Sequence, residues 1–165
     1  MTIVITGHTS GIGSYIYGEY CLYAHGKQVI GLSRRTGFDI TKNDISQYIT
    51  PDTIFINNAF TYDNVYAQAN MLDQAIGASK IICIGTNSQY EGIYKIAKDQ
   101  LKQKCLDYFL EGKDVTYLAL GKVNTPYTKK YHPNDRVINK QYLLDCIEFI
   151  MNSPYRIETL SVRPD

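Results

Sequence analysis

Thr2-Ile3-Val4-Ile5-Thr6-Gly7-His8-Thr9-Ser10-Gly11-Ile12-Gly13 is the stretch whose reading decides the fold. Its β-branched apolar run reads as a buried strand. The run enters a glycine-punctuated turn, and Ser14 to Ala24 reads as a helix closed by Gly26 just past its end. Strand, glycine turn and helix in that order make the unit that binds a dinucleotide. Gly7 allows the sharp turn, Gly11 lets the backbone approach a pyrophosphate, and Gly13 lets helix and strand pack closely. The N–H groups of the first helical turn face the anion. The spacing Thr-Gly-x-x-x-Gly-Ile-Gly departs from G-x-G-x-x-G, and the alternative is an ordinary strand–helix turn.

Working outward, the 165 residues suit one domain, residues 1–165, with one core. A net charge of +1 gives no broad electrostatic footprint for nucleic acid or a membrane surface. No apolar run is long enough to span a bilayer, and the N-terminus lacks the pattern of a secretory signal, so a cytoplasmic location is expected. Cys21, Cys83, Cys105 and Cys146 form no C-x-x-C pair and each sits in an apolar pattern. They read as buried, reduced thiols, and no metal site is expected.

Strands and helices alternate along the chain, which predicts an α/β domain with a doubly wound, mostly parallel Rossmann-type sheet. The expected strands are Gln28 to Leu32, a short edge strand Phe38 to Ile40, Thr53 to Asn57, Lys80 to Ile84, Val115 to Leu120 and Thr159 to Val162. Helices are expected over Asp44 to Ile49, Val65 to Ile76, Tyr94 to Leu110 and Gln141 to Met151, with a polar loop from Gly121 to about Ile138. In the longest helix Tyr94, Ala97, Leu101, Cys105 and Tyr108 form an apolar stripe, which packs either on its own sheet or on a second copy.

Ligands of such sheets sit beyond the carboxyl ends of the strands, so the residues there are the candidates. Ser33-Arg34-Arg35 follows the second strand, where a chain selective for NAD carries an acidic residue for the ribose 2′-hydroxyl. Basic residues suit a 2′-phosphate, which favours NADP over NAD; the alternative is a solvated basic turn. Asp39, beside Ile40, either accepts from an adenine amino group or closes a turn at Thr41. Asn57-Asn58-Ala59, followed by Phe60, lets backbone approach the cofactor or simply turns the chain. Tyr94 and Lys98 are four apart and share one helix face just after Gly85 to Ser88. An ammonium beside a phenol favours the phenolate, which makes Tyr94 a candidate acid/base, with a hydroxyl from Thr86 or Ser88 on the substrate oxygen. Tyr-x-x-x-Lys alone is weak: Tyr23 and Lys27 repeat it, and the alternative is a core aromatic beside a solvated lysine. Gly121, Val123 and Thr125 lie in a loop placed to wrap a nicotinamide, or in a plain loop.

Together these motifs resemble the short-chain dehydrogenase/reductase family, in the family's order, from Thr6 to Val162. The resemblance implies a cofactor cradle of Gly7, Thr9, Ser10, Gly11, Ile12, Gly13, Ser33, Arg34, Arg35, Asp39, Ile40, Asn58, Ala59 and Phe60, completed by Tyr94, Lys98, Gly121, Val123 and Thr125. It implies Tyr94 as acid/base, Lys98 as ribose ligand and tuning charge, Asn70 as the helix asparagine of the proton relay, and Thr86 or Ser88 as the catalytic hydroxyl. NADPH as cofactor, a small carbonyl or alcohol substrate and a homodimer through the long helix follow from the same likeness. Three departures accompany it. The chain is much shorter than a typical member, the segments around the expected catalytic serine are compressed, and Leu120-Gly121 stands where the family has Pro-Gly. The expected activity is hydride transfer between nicotinamide and a carbonyl or alcohol. The rival readings are a non-catalytic NAD(P)-binding sensor or regulatory module and a nucleotide-sugar epimerase of the same superfamily.

Overall fold

The computed structural model describes residues 1–23, 26–87 and 91–164. Among these residues six strands form one sheet: β1 (Thr2–Thr6), β2 (Gln28–Leu32), β3 (Thr53–Asn57), β4 (Lys80–Thr86), β5 (Val115–Leu120) and β6 (Thr159–Val162). Their order is β2-β1-β3-β4-β5-β6, and every pairing is parallel. Parallel neighbours need crossover connections, and these place helices on both faces.

Alternate side chains along a strand point to opposite faces, so apolar runs build two cores. Ile3, Ile5, Ile56, Ile82 and Leu118 pack with α1 (Gly11–Tyr23) and α5 (Lys140–Asn152) through Ile16, Leu143 and Ile147. On the other face Val4, Phe55, Ile81, Cys83 and Tyr117 pack with α2 (Ala67–Ala75) and α3 (Gly92–Leu110) through Leu72, Leu101 and Cys105. This is the doubly wound Rossmann arrangement expected. No helix among the described residues is long and apolar enough to cross a membrane.

Several elements differ from expectation. Phe38 to Ile40 is not a strand, and the sheet ends at β2. Arg34–Thr36 forms a 3₁₀ turn, and the Asp39 carboxylate then accepts from Thr41 N–H (2.9 Å) and Oγ1 (2.8 Å), curling the chain away while Phe38 enters the core. The helix expected at Asp44 to Ile49 is a single 3₁₀ turn, Ser46–Tyr48. The expected polar loop contains α4 (Pro126–Tyr131), started by Thr125, whose side chain accepts from Thr128 N–H, and by Pro126 in the first turn. Cys21 is exposed rather than buried, and all four thiols are free. The α3 stripe packs on its own sheet through Ala97, Leu101 and Cys105, while Tyr108 donates to the Asp73 carboxylate.

Candidate functional site

The turn after β1 is held from beneath by β3. Thr6 Oγ1 accepts from the N–H groups of Asn58 (3.0 Å) and Ala59 (3.1 Å), and Asn58 Nδ2 donates to the Thr6 carbonyl (3.1 Å). Asn58 thereby fills the space under the glycines. A Cβ at Gly13 would lie 2.3 Å from the Gly7 carbonyl oxygen and 2.5 Å from Asn58 Nδ2, so only glycine fits there. Gly7 itself has φ 73°, in the left-handed region. Above this turn lies a cleft of about 330 Å³, within the range of about 300–1,000 Å³ usual for small-molecule sites. It collects Gly7, Thr9 and Ser10, then Ser33, Arg34 and Arg35, then Ile40, and finally Asn58, Ala59 and Phe60. Gly11, Ile12 and Gly13 begin α1 behind the turn.

The two arginines of the basic turn are placed differently. Arg34 donates to the carboxylates of Asp39 (2.9 Å) and Asp63 (2.7 Å) and to Thr61 Oγ1 (3.2 Å), clasping the rim of the cleft. The Asp39 carboxyl is held below its ordinary range, first by the Thr41 N–H and hydroxyl and further by Arg34. Asp39 does not line the cleft; its carboxylate closes the Thr41 turn. Arg35 is exposed, lines the cleft and makes no side-chain hydrogen bond or ion pair among the described residues.

Phe60 joins this cleft to Tyr94. Its ring lines the cleft and meets the Tyr94 ring edge-on, with centroids 4.9 Å apart. Beneath both rings sits Lys98, its Nζ 5.6 Å from the Phe60 centroid and 5.4 Å from that of Tyr94. Lys98 is only 4% exposed, and its ammonium donates to Gln68 Oε1 (2.7 Å) and the Ile84 carbonyl (3.0 Å). Burial lowers its pKa to about 8. The structure therefore brings Tyr94 and Lys98 together at the end of β4, with the lysine facing inward.

Asn70 is exposed on α2 and is not part of this constellation. Gln68 stands there instead. Its Nε2 donates to the carbonyls of Asn57 (2.9 Å) and Ile84 (3.2 Å), while Asn57 Nδ2 returns a bond to the Gln68 carbonyl (2.8 Å). One amide thus links β3, β4, α2 and α3. Residues two apart on a helix lie about 200° apart, so only one of Gln68 and Asn70 can face the strand ends.

A second residue without a local sequence signature is Tyr117 on β5. Its hydroxyl accepts from Thr86 N–H (3.0 Å) and donates to the Thr86 carbonyl (3.3 Å). A Cβ at Gly85 would lie 2.0 Å from the Tyr117 ring, so this glycine is the trace Tyr117 leaves in the sequence. Burial raises the Tyr117 pKa to about 12, which keeps the phenol neutral. Thr86 Oγ1 donates to the Leu120 carbonyl (3.3 Å), and Ser88 lies outside the described residues. Val123 and Thr125 are buried, Val123 in the α1/α5 core and Thr125 as the cap of α4. Neither they nor Gly121 line the nucleotide-sized cleft; Gly121 lines a separate cleft beside β6.

Fold and cleft define a Rossmann-type α/β protein with six parallel strands in the order 2-1-3-4-5-6. No protein-family model and no curated protein matches the sequence. The structure does match short-chain dehydrogenases and their extended relatives over nearly the whole chain. UDP-N-acetylglucosamine 4-epimerase from Bacillus cereus is 17% identical with a TM-score of 0.76, over 98% of this chain and 77% of its own. The 3-alpha-hydroxysteroid dehydrogenase from Pseudomonas sp. B-0831, solved with NADH, is 16% identical with a TM-score of 0.70, over 98% and 95%. A small-chain dehydrogenase solved with NADPH is 14% identical with a TM-score of 0.67, over 98% and 96%. At such identities the likeness is one of fold.

Proposed function

We propose that the chain is an NADP-dependent oxidoreductase of the short-chain dehydrogenase/reductase type, acting on a small carbonyl or alcohol. The observation that carries this reading is the convergence on one cleft of the glycine turn, Arg35 and Asn58-Ala59-Phe60, with Tyr94 adjoining it through Phe60. The residues fit a dinucleotide: the turn is stripped of side chains where backbone must come close, and an uncommitted guanidinium lies at its far side. In this reading the N–H groups at the start of α1 hold the pyrophosphate. Arg35, with Ser33, takes the 2′-phosphate, since Arg34 is engaged by Asp39 and Asp63. NADPH, when bound, supplies the hydride. Tyr94 exchanges a proton at the substrate oxygen, Lys98 beneath its ring favours the anionic phenol, and Thr86 orients that oxygen.

One observation favours a second reading, a cofactor-binding module without turnover. The Lys98 ammonium is bonded to Gln68 and Ile84 and covered by two rings, instead of facing the cleft. Fluorescence titration with NADPH and NADH, followed by turnover against a panel of small carbonyl compounds, separates the two. Tight NADPH binding with turnover supports the enzyme, and tight binding with no turnover supports the module. Failure to bind either nucleotide overturns both.

A further inference from the structure

We propose that the cleft at the carboxyl ends of β5 and β6 seats a phosphate group of the substrate. The proposal rests on the oxidoreductase reading for the identity of the ligand as substrate, while the anion site stands on its own residues. The cleft measures about 450 Å³, and its polar lining is Asn87, Lys122, Asn134, Asp135, Arg136 and Arg163.

The charges of this lining are uneven. Lys122 is bonded to the Asp135 carboxylate and lies 3.1 Å from His132 Nδ1. Arg136 and Arg163 are exposed and make no hydrogen bond, ion pair or ring contact among the described residues. The chain has five arginines. Arg34 is held by two carboxylates, and Arg156 donates to the Phe109 carbonyl (2.7 Å) and lies over its ring. The other three all line clefts: Arg35 the nucleotide-sized one, Arg136 and Arg163 this one. Like charges left uncompensated in one concave wall focus a positive potential and attract an anion. Guanidinium forks match phosphate oxygens, and three cations against one carboxylate leave two charges in excess. A phosphate dianion balances that excess; a single carboxylate does not.

The location connects the cleft to the chemistry. Asn87 directly follows Thr86, and Gly121 and Lys122 directly follow β5. Asn87 Nδ2 donates to the carbonyls of Ala119 (3.2 Å) and Val162 (2.7 Å) and to Ser161 Oγ (3.2 Å), fixing one wall to three strands. Gly121 lies against Pro164, where a Cβ would approach within 2.9 Å. Thr86, the last residue of β4, thus stands immediately before one wall of this cleft. A small phosphorylated carbonyl or alcohol meets both requirements.

The test is calorimetric titration of the full chain with inorganic phosphate and with succinate at constant ionic strength, for wild type, for R35Q, which removes the guanidinium assigned to the nucleotide, and for R35Q/R136Q/R163Q. Both cleft arginines are exposed and unpartnered, so the variants should melt like wild type. Loss of about 100-fold or more in phosphate affinity from R35Q to R35Q/R136Q/R163Q is expected. Phosphate binding that survives R35Q/R136Q/R163Q, or that is already absent in R35Q, overturns the proposal. So does a wild type that ignores phosphate or binds succinate equally well. A parallel NADPH titration keeps the two readings apart. If wild type binds no NADPH, the oxidoreductase reading fails, while loss of phosphate binding from R35Q to R35Q/R136Q/R163Q still supports the anion site.

Discussion

Lys98→Met isolates the buried ammonium, because methionine keeps an unbranched stem of similar length and removes the charge. Lys98 is 4% exposed, and burial brings its pKa from 10.5 to about 8. Below pH 8 the side chain is protonated in both folded and unfolded chains, and a shift of this size disfavours the folded charge by about 3 kcal/mol. Between pH 8 and 10.5 the folded chain releases the proton first. The unfolded state then binds more protons, so stability rises with pH across that window. The lysine's contribution should therefore increase by about 2–3 kcal/mol from pH 7 to pH 10. The raised tyrosines, Tyr108 and Tyr117 at about 12, act with the opposite sign, since their stabilisation is lost as pH climbs past the unfolded value. They are common to both proteins and cancel in the difference. Methionine leaves Gln68 Oε1 without its donor, whereas the Ile84 carbonyl still accepts from Gln68 Nε2 (3.2 Å). That loss offsets the variant's stability by a similar amount at each pH, so the slope carries the test. Urea unfolding at pH 7, 8, 9 and 10 should show wild type gaining on Lys98→Met as pH rises. Parallel curves would refute the buried-charge argument.

Arg35→Ala should weaken NADPH binding about 10–100-fold and leave NADH binding unchanged. Arg34→Ala should instead release Thr61 and Asp63 from the rim and weaken both nucleotides alike, which fluorescence titration distinguishes. Tyr94→Phe should lower turnover about 10²–10⁴-fold in steady-state kinetics while NADPH affinity holds. Gly85→Ala should cost about 1–3 kcal/mol in chemical denaturation, because its Cβ meets the Tyr117 ring at 2.0 Å. In Gly85→Ala/Tyr117→Ala the two losses should fall short of their sum, since removing the ring relieves the clash.

Most of the fold was legible because apolar β-branched runs alternate with helix-length segments. Gln28–Leu32, Thr53–Asn57 and Val115–Leu120 are strands over the residues read as strands. Phe38 to Ile40 failed because three residues carry too little period: burial of Phe38 and hydrogen bonds to Asp39 satisfy the same pattern without a strand. Pro126 lies in the stretch read as a polar loop, yet proline also favours a first helical turn, and Thr125 before it is a good cap. The site divides in the same way. The glycine turn announces itself locally. That Gln68 rather than Asn70 faces the strand ends depends on the rotational phase of α2, which a short helix with mixed polarity does not declare. The difference between Arg34 and Arg35 is set by Asp39 and by Asp63 together, and Asp63 lies far along the chain, where no local pattern contains it. Tyr117 acts across strands, and its mark is on Gly85 rather than near itself.

The all-parallel sheet also has a kinetic consequence. Among the described residues no strand pairs through a hairpin, so even the nearest strand partners, Thr2 with Gln28 and Ile54 with Lys80, are 26 positions apart, and Thr2 with Thr53 spans 51. Each pairing must close a long loop before its contacts repay the lost chain entropy. Such topologies fold slowly for their size. Until β3 and β4 each have a neighbour on both sides, the apolar runs at Ile54–Ile56 and Ile81–Ile84 remain open to other chains, and refolding yield should fall as protein concentration rises.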